Sequence, residues 1–363
     1  MKNRFSYLAL AVVMILSVVL VACAPAATEA PAAPAATEAP AAPAATEAPT
    51  AAPTNPPPAC APIANQLSAA AGELGSADNP IVITFVPSGD TGKITKAGTE
   101  IADCLSKMTG LNFEIEVGTT FAASIEAMGA EKAHVGFLNT FSALLAIEKY
   151  QIVPALAVMR KYNTNDVDPD KAMEGQLQAF YKGQFIANQE SGIQSFEDLK
   201  GKTFCFVDPN STSGYIIPRI ILLANGIDPD VDFAAIQNAG SHNNVGIAVY
   251  KGDCDAGVSY INVLTDSAAN LAADYPDITE KVYPFAVTDR IPNDGVQYIN
   301  TMPEEYQAAI TEGLLSMAKD PGGNAVLRGL YTINDFQAID ANFYDDFAEV
   351  LKAAGVDPAE LVK

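Results

Sequence analysis

Short unbroken apolar runs alternate along the chain with longer segments whose apolar positions recur every three or four residues. Ile81-Val82-Ile83-Thr84-Phe85-Val86 predicts a buried strand over 81–87, and the spacing that follows predicts a helix over 95–109 closed by Gly110. Further strands are predicted over 112–117, 134–138 and 152–159, with helices over 119–131 and 141–150 between them. That βαβαβ order implies parallel strands joined by crossover helices. The pattern then restarts. Strands are predicted over 184–187, 203–207 and 256–260, a short capped helix over 195–199, and longer helices over 215–225 and 243–250, the first kinked at Pro218. The stretch 303–363 reads as mostly helical. The expectation is an α/β fold with two lobes, each with its own core, and a ligand cleft beyond the carboxyl ends of the strands.

The first 23 residues differ in kind. Lys2 and Arg4 precede an apolar stretch, and Leu20-Val21-Ala22-Cys23 matches a lipobox, in which the cysteine is diacylated and becomes the first residue of the mature chain. Residues 1–23 therefore read as a lipoprotein signal peptide with Cys23 as the lipid site, the alternative being an uncleaved anchor. Residues 24–60 form an Ala/Pro/Thr/Glu-rich disordered linker, in which the unit Pro-Ala-Ala-Thr-Glu-Ala-Pro recurs from Pro25, Pro34 and Pro43. Proline every few residues removes amide donors and prevents a buried core. At ~3 Å per residue the tract is a spacer on the order of 100 Å long.

Charge narrows the partners. The chain carries 21 Lys and Arg against 43 Asp and Glu, for a net charge of -22, which argues against nucleic acid. Any anionic ligand then needs a local cluster of donors to offset the global field. With no Trp and only His134 and His242, far apart in sequence, there is little material for a metal site or a Ser-His-Asp triad, and neither metal nor cofactor is expected. Cys60, Cys104, Cys205 and Cys254 remain after the lipid site. In an oxidising compartment an even number suggests two disulfides in one of three pairings. Cys60–Cys104 with Cys205–Cys254 is the favoured one, and four buried free thiols is the alternative.

The chemistry concentrates in Val207-Asp208-Pro209-Asn210-Ser211-Thr212-Ser213-Gly214-Tyr215. A strand ends, Asp208-Pro209 breaks it, three hydroxyl or small residues follow, and a helix begins. Unpaired amides at a helix start, with hydroxyls beside them, can hold a tetrahedral oxyanion without Lys or Arg. Gly214 is expected to let the ligand approach the backbone. An ordinary helix cap uses the same residues.

This segment, with Pro218, Asn238-Ala239-Gly240-Ser241-His242, Asp255-Ala256-Gly257 and Ile291-Pro292-Asn293-Asp294, resembles the phosphate/phosphite/phosphonate-binding proteins of ABC importers. Ser195-Phe196-Glu197-Asp198-Leu199-Lys200-Gly201-Lys202 extends the likeness, which covers roughly 80–340. The resemblance implies a two-lobed type II periplasmic-binding-protein fold with a hinge and interlobe cleft. Its lobe 1 would comprise 61–183 and a return over 287–363 that includes the C-terminal helices, and lobe 2 would be 184–286. It implies that Ser211, Thr212, Ser213 and His242 hold the phosphorus oxygens from lobe 2 and that Tyr181 donates from opposite. Phe121 stands where aminophosphonate binders carry a tyrosine. Asp294 matches one of two acids that take a ligand amine, whereas the other falls near Asn262, which is not an acid. A phosphonate, phosphite or phosphate is then expected rather than 2-aminoethylphosphonate. Ser88 and Thr140, together with Asp90, Thr91 and Asn139, follow lobe 1 strands and are weaker candidates.

The expected role is a monomeric, lipid-anchored extracytoplasmic binding protein that delivers its ligand to an ABC permease and catalyses nothing. The rivals are a binder of another small anion (carboxylate or sulfonate), a sensory binding protein docking on a receptor, and an enzyme with a reactive cysteine on the same fold.

Overall fold

Ile81, Ile83 and Phe85 on one face of a strand are completely buried, and so is Thr84 on the other, as a strand covered on both faces requires. The computed structural model describes residues 55–358, so the signal peptide, Cys23, the linker up to residue 54 and the last five residues of the chain lie outside the described residues. Strands β1 (Ile81–Phe85), β2 (Phe113–Val117), β3 (Val135–Leu138), β4 (Val153–Lys161) and β5 (Leu177–Gln178) come first, and the short β6 (Phe180–Tyr181) leads out of them. A second group follows: β7 (Gly183–Asn188), β8 (Thr203–Phe206), β9 (Ala235–Asn238), β10 (Ala256–Tyr260) and β11 (Val282–Val287). Finally β12 (Ile291–Pro292), β13 (Gly295–Tyr298) and β14 (Asp335–Ala338) return to the first group.

The larger sheet runs β14-β4-β13-β3-β1-β2, with β5 on β4, and the smaller runs β11-β7-β10-β8-β9. In the larger sheet β1 pairs in parallel with both β2 and β3. Between the sheets, β6 and β12 pair antiparallel, Tyr181 opposite Ile291. These two segments carry the chain from one lobe to the other and back, which is where a hinge must bend. Beside them Lys182, nearly inaccessible, places its ammonium 2.8 Å from Asp168 and 2.9 Å from Asp170.

Several elements depart from the sequence reading. The first helix starts at Thr91, four residues earlier than expected, because Asp90 accepts the Lys93 amide at 2.8 Å and caps it there. It ends where expected: Gly110 adopts φ 82°, and a Cβ at that position would lie 2.3 Å from the Leu67 carbonyl oxygen. The 195–199 segment forms a single 3-10 turn, Glu197–Leu199. The C-terminal stretch is interrupted by β14, whose Asp-Phe-Gln-Ala has no β-branched residue and is held extended by antiparallel pairing with β4. The lobes do not have wholly separate cores. One face of the smaller sheet packs a cluster around Phe185, Phe204 and Phe206, while Cys205, Val207 and Val245 on its other side join the core of the larger lobe.

Both disulfides form in the favoured pairing, Cys60–Cys104 and Cys205–Cys254, with Cα atoms 5.0 and 5.8 Å apart. The first ties the lead-in segment to the helix Thr91–Thr109. The second ties β8 to the turn before β10.

Candidate functional site

The two lobes meet around a cavity of about 120 Å³. From the smaller-sheet lobe its wall takes Ser211, Thr212, Ser213, His242, Tyr260 and Asn262; from the other side it takes Ser88, Phe121, Asn139, Arg160 and Tyr331, with Tyr181 and Asp294 at the crossing segments. The structure thus brings together eleven of the thirteen residues singled out from the sequence, Thr91 and Thr140 being the exceptions. Thr140 is turned away from the cavity. Its hydroxyl donates to the Pro292 carbonyl at 2.6 Å, outside the cavity wall, so it braces the hinge segment instead.

The Ser-Thr-Ser segment is wound differently from an ordinary helix start. Ser211 is the cap, its hydroxyl accepting from the Gly214 amide, and Thr212–Ile216 form a π-helical turn before the α-helix Ile217–Ala224. Pro218 sits in the first turn of that α-helix, where a missing amide costs nothing, so the irregularity lies upstream of it as the π turn and not as a kink. Gly214 serves packing rather than ligand approach. A Cβ there would come within 2.3 Å of the Val207 side chain.

Thr212 is shared between lobes. Its hydroxyl oxygen accepts from the Phe141 amide and from the Asn139 side-chain amide, each at 2.9 Å, and the same Asn139 nitrogen reaches the Asn210 carbonyl. With both lone pairs used, only the hydroxyl hydrogen is left to donate. The carboxamide oxygen of Asn139 is buried and has no partner among the described residues. Three further bonds join the lobes: the His242 amide donates to the Ser88 carbonyl, and the Lys93 ammonium reaches the Ala268 and Ala269 carbonyls. The lobes are closed on each other.

His242 is held as a neutral donor. The Tyr260 amide, which can only donate, points at its Nδ1 at 3.2 Å, and the Ser259 hydroxyl lies 3.0 Å from the same nitrogen. Nδ1 must therefore accept, and the proton sits on Nε2, 3.4 Å from the Ser211 hydroxyl. Burial pushes the imidazole down to about 3, only partly opposed by the Asp294 charge. Tyr181 donates to Ser213 at 3.2 Å, and burial pushes its hydroxyl up to about 12, so it stays protonated. Phe121 is buried and contributes surface without a polar group. Asn262 holds a left-handed turn at φ 67°, its carbonyl accepting from the Thr265 and Asp266 amides.

Arg160 is the residue that reading the sequence missed. It lies one residue past the predicted end of its strand, and the Ser-Thr-Ser reading needed no cation. Its guanidinium grips both oxygens of Asp294 at 2.5 and 2.8 Å, and also donates to the Asn293 side chain at 3.0 Å and the Tyr331 carbonyl at 2.9 Å. The pair is nearly neutral as a unit, so the polar wall consists mainly of uncharged hydroxyl and N–H groups. No group of three or more metal-ligating side chains occurs among the described residues.

Comparison with known proteins agrees with this architecture. A family described as ABC transporter, phosphonate, periplasmic substrate-binding protein matches residues 83–344. The phosphate-import protein PhnD of Mycolicibacterium smegmatis is 26% identical over 187 residues, which is 50% of this chain and 54% of that protein. The chain therefore aligns with about half the length of that relative. Among solved structures, a binding-protein component of an ABC phosphonate transporter from Pseudomonas aeruginosa superimposes with a TM-score of 0.64 at 21% identity, covering 75% of this chain and 85% of that one. PhnD1 from Prochlorococcus marinus, solved in complex with methylphosphonate, gives 0.63 at 17% identity, covering 76% and 98%. The fold is the two-lobed type II periplasmic-binding-protein fold, and the chain belongs to the phosphonate family of periplasmic substrate-binding proteins of ABC transporters.

Proposed function

We propose that this chain is the solute-binding component of an ABC importer and that it captures a small phosphorus oxyanion: a phosphonate, phosphite or phosphate. The observation that carries the reading is the convergence of the Ser211–Ser213 turn, the Nε2–H of His242 and the Tyr181 hydroxyl on one closed cavity between the lobes. Dipoles and neutral donors suit a tetrahedral oxyanion in a protein whose overall charge of -22 would repel it. Methylphosphonate, the compound bound by the Prochlorococcus marinus protein, is the natural first probe.

The chain works as a hinged trap. The anion docks on the π-helical turn, and closure over β6 and β12 completes the wall with Asn139 and Tyr181. Enclosure strengthens each hydrogen bond by removing water. The closed surface of both lobes is then what a permease would recognise. Ligand binding without catalysis fits the four cysteines of the described residues, which are tied up in disulfides and offer no thiolate. Residues 1–23 support export and diacylation at Cys23, with the Pro/Ala tract as a tether, and a site lined by a single chain supports monomeric action.

Uptake tests the transport half of this reading. Cells that lack the chain should take up labelled phosphonate or phosphite at a small fraction of the parental rate, with recovery when the full chain is restored and weaker recovery with Cys23→Ser. Parental uptake without the chain would overturn the assignment to an importer.

A further inference from the structure

The cavity contains a carboxylate in a site that must hold an anion, and its treatment is specific. Asp294 does not face the cavity as a free charge, because Arg160 clamps it with two bonds of 2.5 and 2.8 Å. A guanidinium has five N–H donors in a fixed fork. Here Nε–H goes to the Tyr331 carbonyl, the two Nη1 hydrogens go to Asn293 and Asp294, and one Nη2 hydrogen goes to the other Asp294 oxygen. Only the second Nη2 hydrogen is left. The clamp is braced from behind, since Asn293 is itself fixed by bonds to the Val158 and Gln178 carbonyls. Other acids on the wall have different duties: Asp90 caps a helix, and Asp266 accepts from the Tyr260 hydroxyl at 2.8 Å.

We infer that the Arg160–Asp294 pair sets ligand selectivity: Arg160 is a built-in cation that occupies the carboxylate of the cavity, so the site admits phosphorus oxyanions with uncharged substituents and turns away those carrying an ammonium. This rests on the oxyanion reading given above and adds the chemical class of the tail. A ligand ammonium would have to displace a bidentate, desolvated guanidinium or sit unpaired beside it, and both are unfavourable. An uncharged ligand leaves the pair intact and gains the remaining N–H.

The test is calorimetric titration of the full chain with methylphosphonate and 2-aminoethylphosphonate, on the parent, Arg160→Met and Asp294→Asn. The parent should bind methylphosphonate roughly tenfold or more tighter than the aminophosphonate, on the scale that placing like charges together costs. Arg160→Met leaves a lone carboxylate, so methylphosphonate should weaken by roughly tenfold or more and the order of the two ligands should invert. Asp294→Asn frees a cation beside the anion, so methylphosphonate should bind as tightly or tighter while the aminophosphonate stays disfavoured. A loss in Arg160→Met without a loss in Asp294→Asn separates selectivity from a structural role, which would weaken both. Should Arg160→Met not fold, the parent and Asp294→Asn decide the matter alone. Equal binding of the two ligands by the parent, an unchanged order in Arg160→Met, or weaker methylphosphonate binding by Asp294→Asn would each overturn the inference while leaving the oxyanion reading intact. Failure of the parent to bind any phosphorus oxyanion would instead overturn that reading and this inference with it.

Discussion

The hydroxyl oxygen of Thr212 accepts the backbone N–H of Phe141 at 2.9 Å, so a side chain of one lobe caps a helix of the other. Asn139, at the cap position of the helix Thr140–Tyr150, makes no capping bond of its own. The Phe141 amide thus gains this acceptor only when the lobes are closed, which couples closure to the turn that lines the cavity.

Thr212→Val should break that coupling. Valine keeps the shape but leaves the Phe141 amide without an acceptor, at a cost of about 1–3 kcal/mol for a buried donor, and leaves the Asn139 side chain with only the Asn210 carbonyl. Ligand affinity should fall by roughly tenfold or more, and small-angle scattering should show a more open ligand-free form. Thr212→Ser retains the oxygen and should restore both. Parental affinity in Thr212→Val would mean that neither closure nor docking depends on this hydroxyl.

His242 predicts how stability follows acidity. Its folded-state value, pushed down to about 3 by burial, lies below that of an exposed histidine, so the unfolded chain binds more protons between these limits. Stability should therefore be fully present above about pH 6.5 and fall as pH drops towards 3, with a slope from this group of at most about 1.4 kcal/mol per pH unit. Urea denaturation of the parent and His242→Gln at pH 7 and 4.5 checks it: the loss on acidification should be smaller in the variant. An equal loss would show that the imidazole is not the group responsible.

Lys182 anchors the crossing segment through Asp168 and Asp170, and its side chain is only 5% exposed. Lys182→Met should leave the buried Asp168 carboxylate uncompensated, while the partly exposed Asp170 keeps Arg290, and should destabilise the chain by about 3–5 kcal/mol. Chemical denaturation reads this directly. A loss below about 1 kcal/mol would place the pair with exposed ion pairs of little consequence.

How much of this was legible in the sequence follows from range. The parallel β1 and β3 carry mostly apolar runs, β2 alternates Phe113, Ile115 and Val117 with Glu114 and Glu116, and Gly110 closes its helix by a local requirement, so all of these could be read. The strands β13 and β14 could not, because Gly295-Val296-Gln297-Tyr298 and Asp335-Phe336-Gln337-Ala338 are extended by pairing with β4 across more than a hundred residues. The Ser211–Ser213 turn was visible as a hydroxyl cluster between a strand and a helix. Arg160 was not, since nothing local distinguishes a strand-end arginine on the surface from one turned inward onto Asp294, 134 residues away. Thr140 was misjudged for the same reason: its partner, the Pro292 carbonyl, is 152 residues distant.

The central claim is that the cavity binds a phosphorus oxyanion, and isothermal titration calorimetry tests it most directly. The full chain, freed of bound ligand by partial unfolding and refolding, is titrated with phosphate, phosphite, methylphosphonate and sulfate. The account predicts saturable binding of a phosphorus oxyanion, one per chain, with sulfate silent. Silence across all four, or sulfate binding as tightly as the phosphorus compounds, would contradict it.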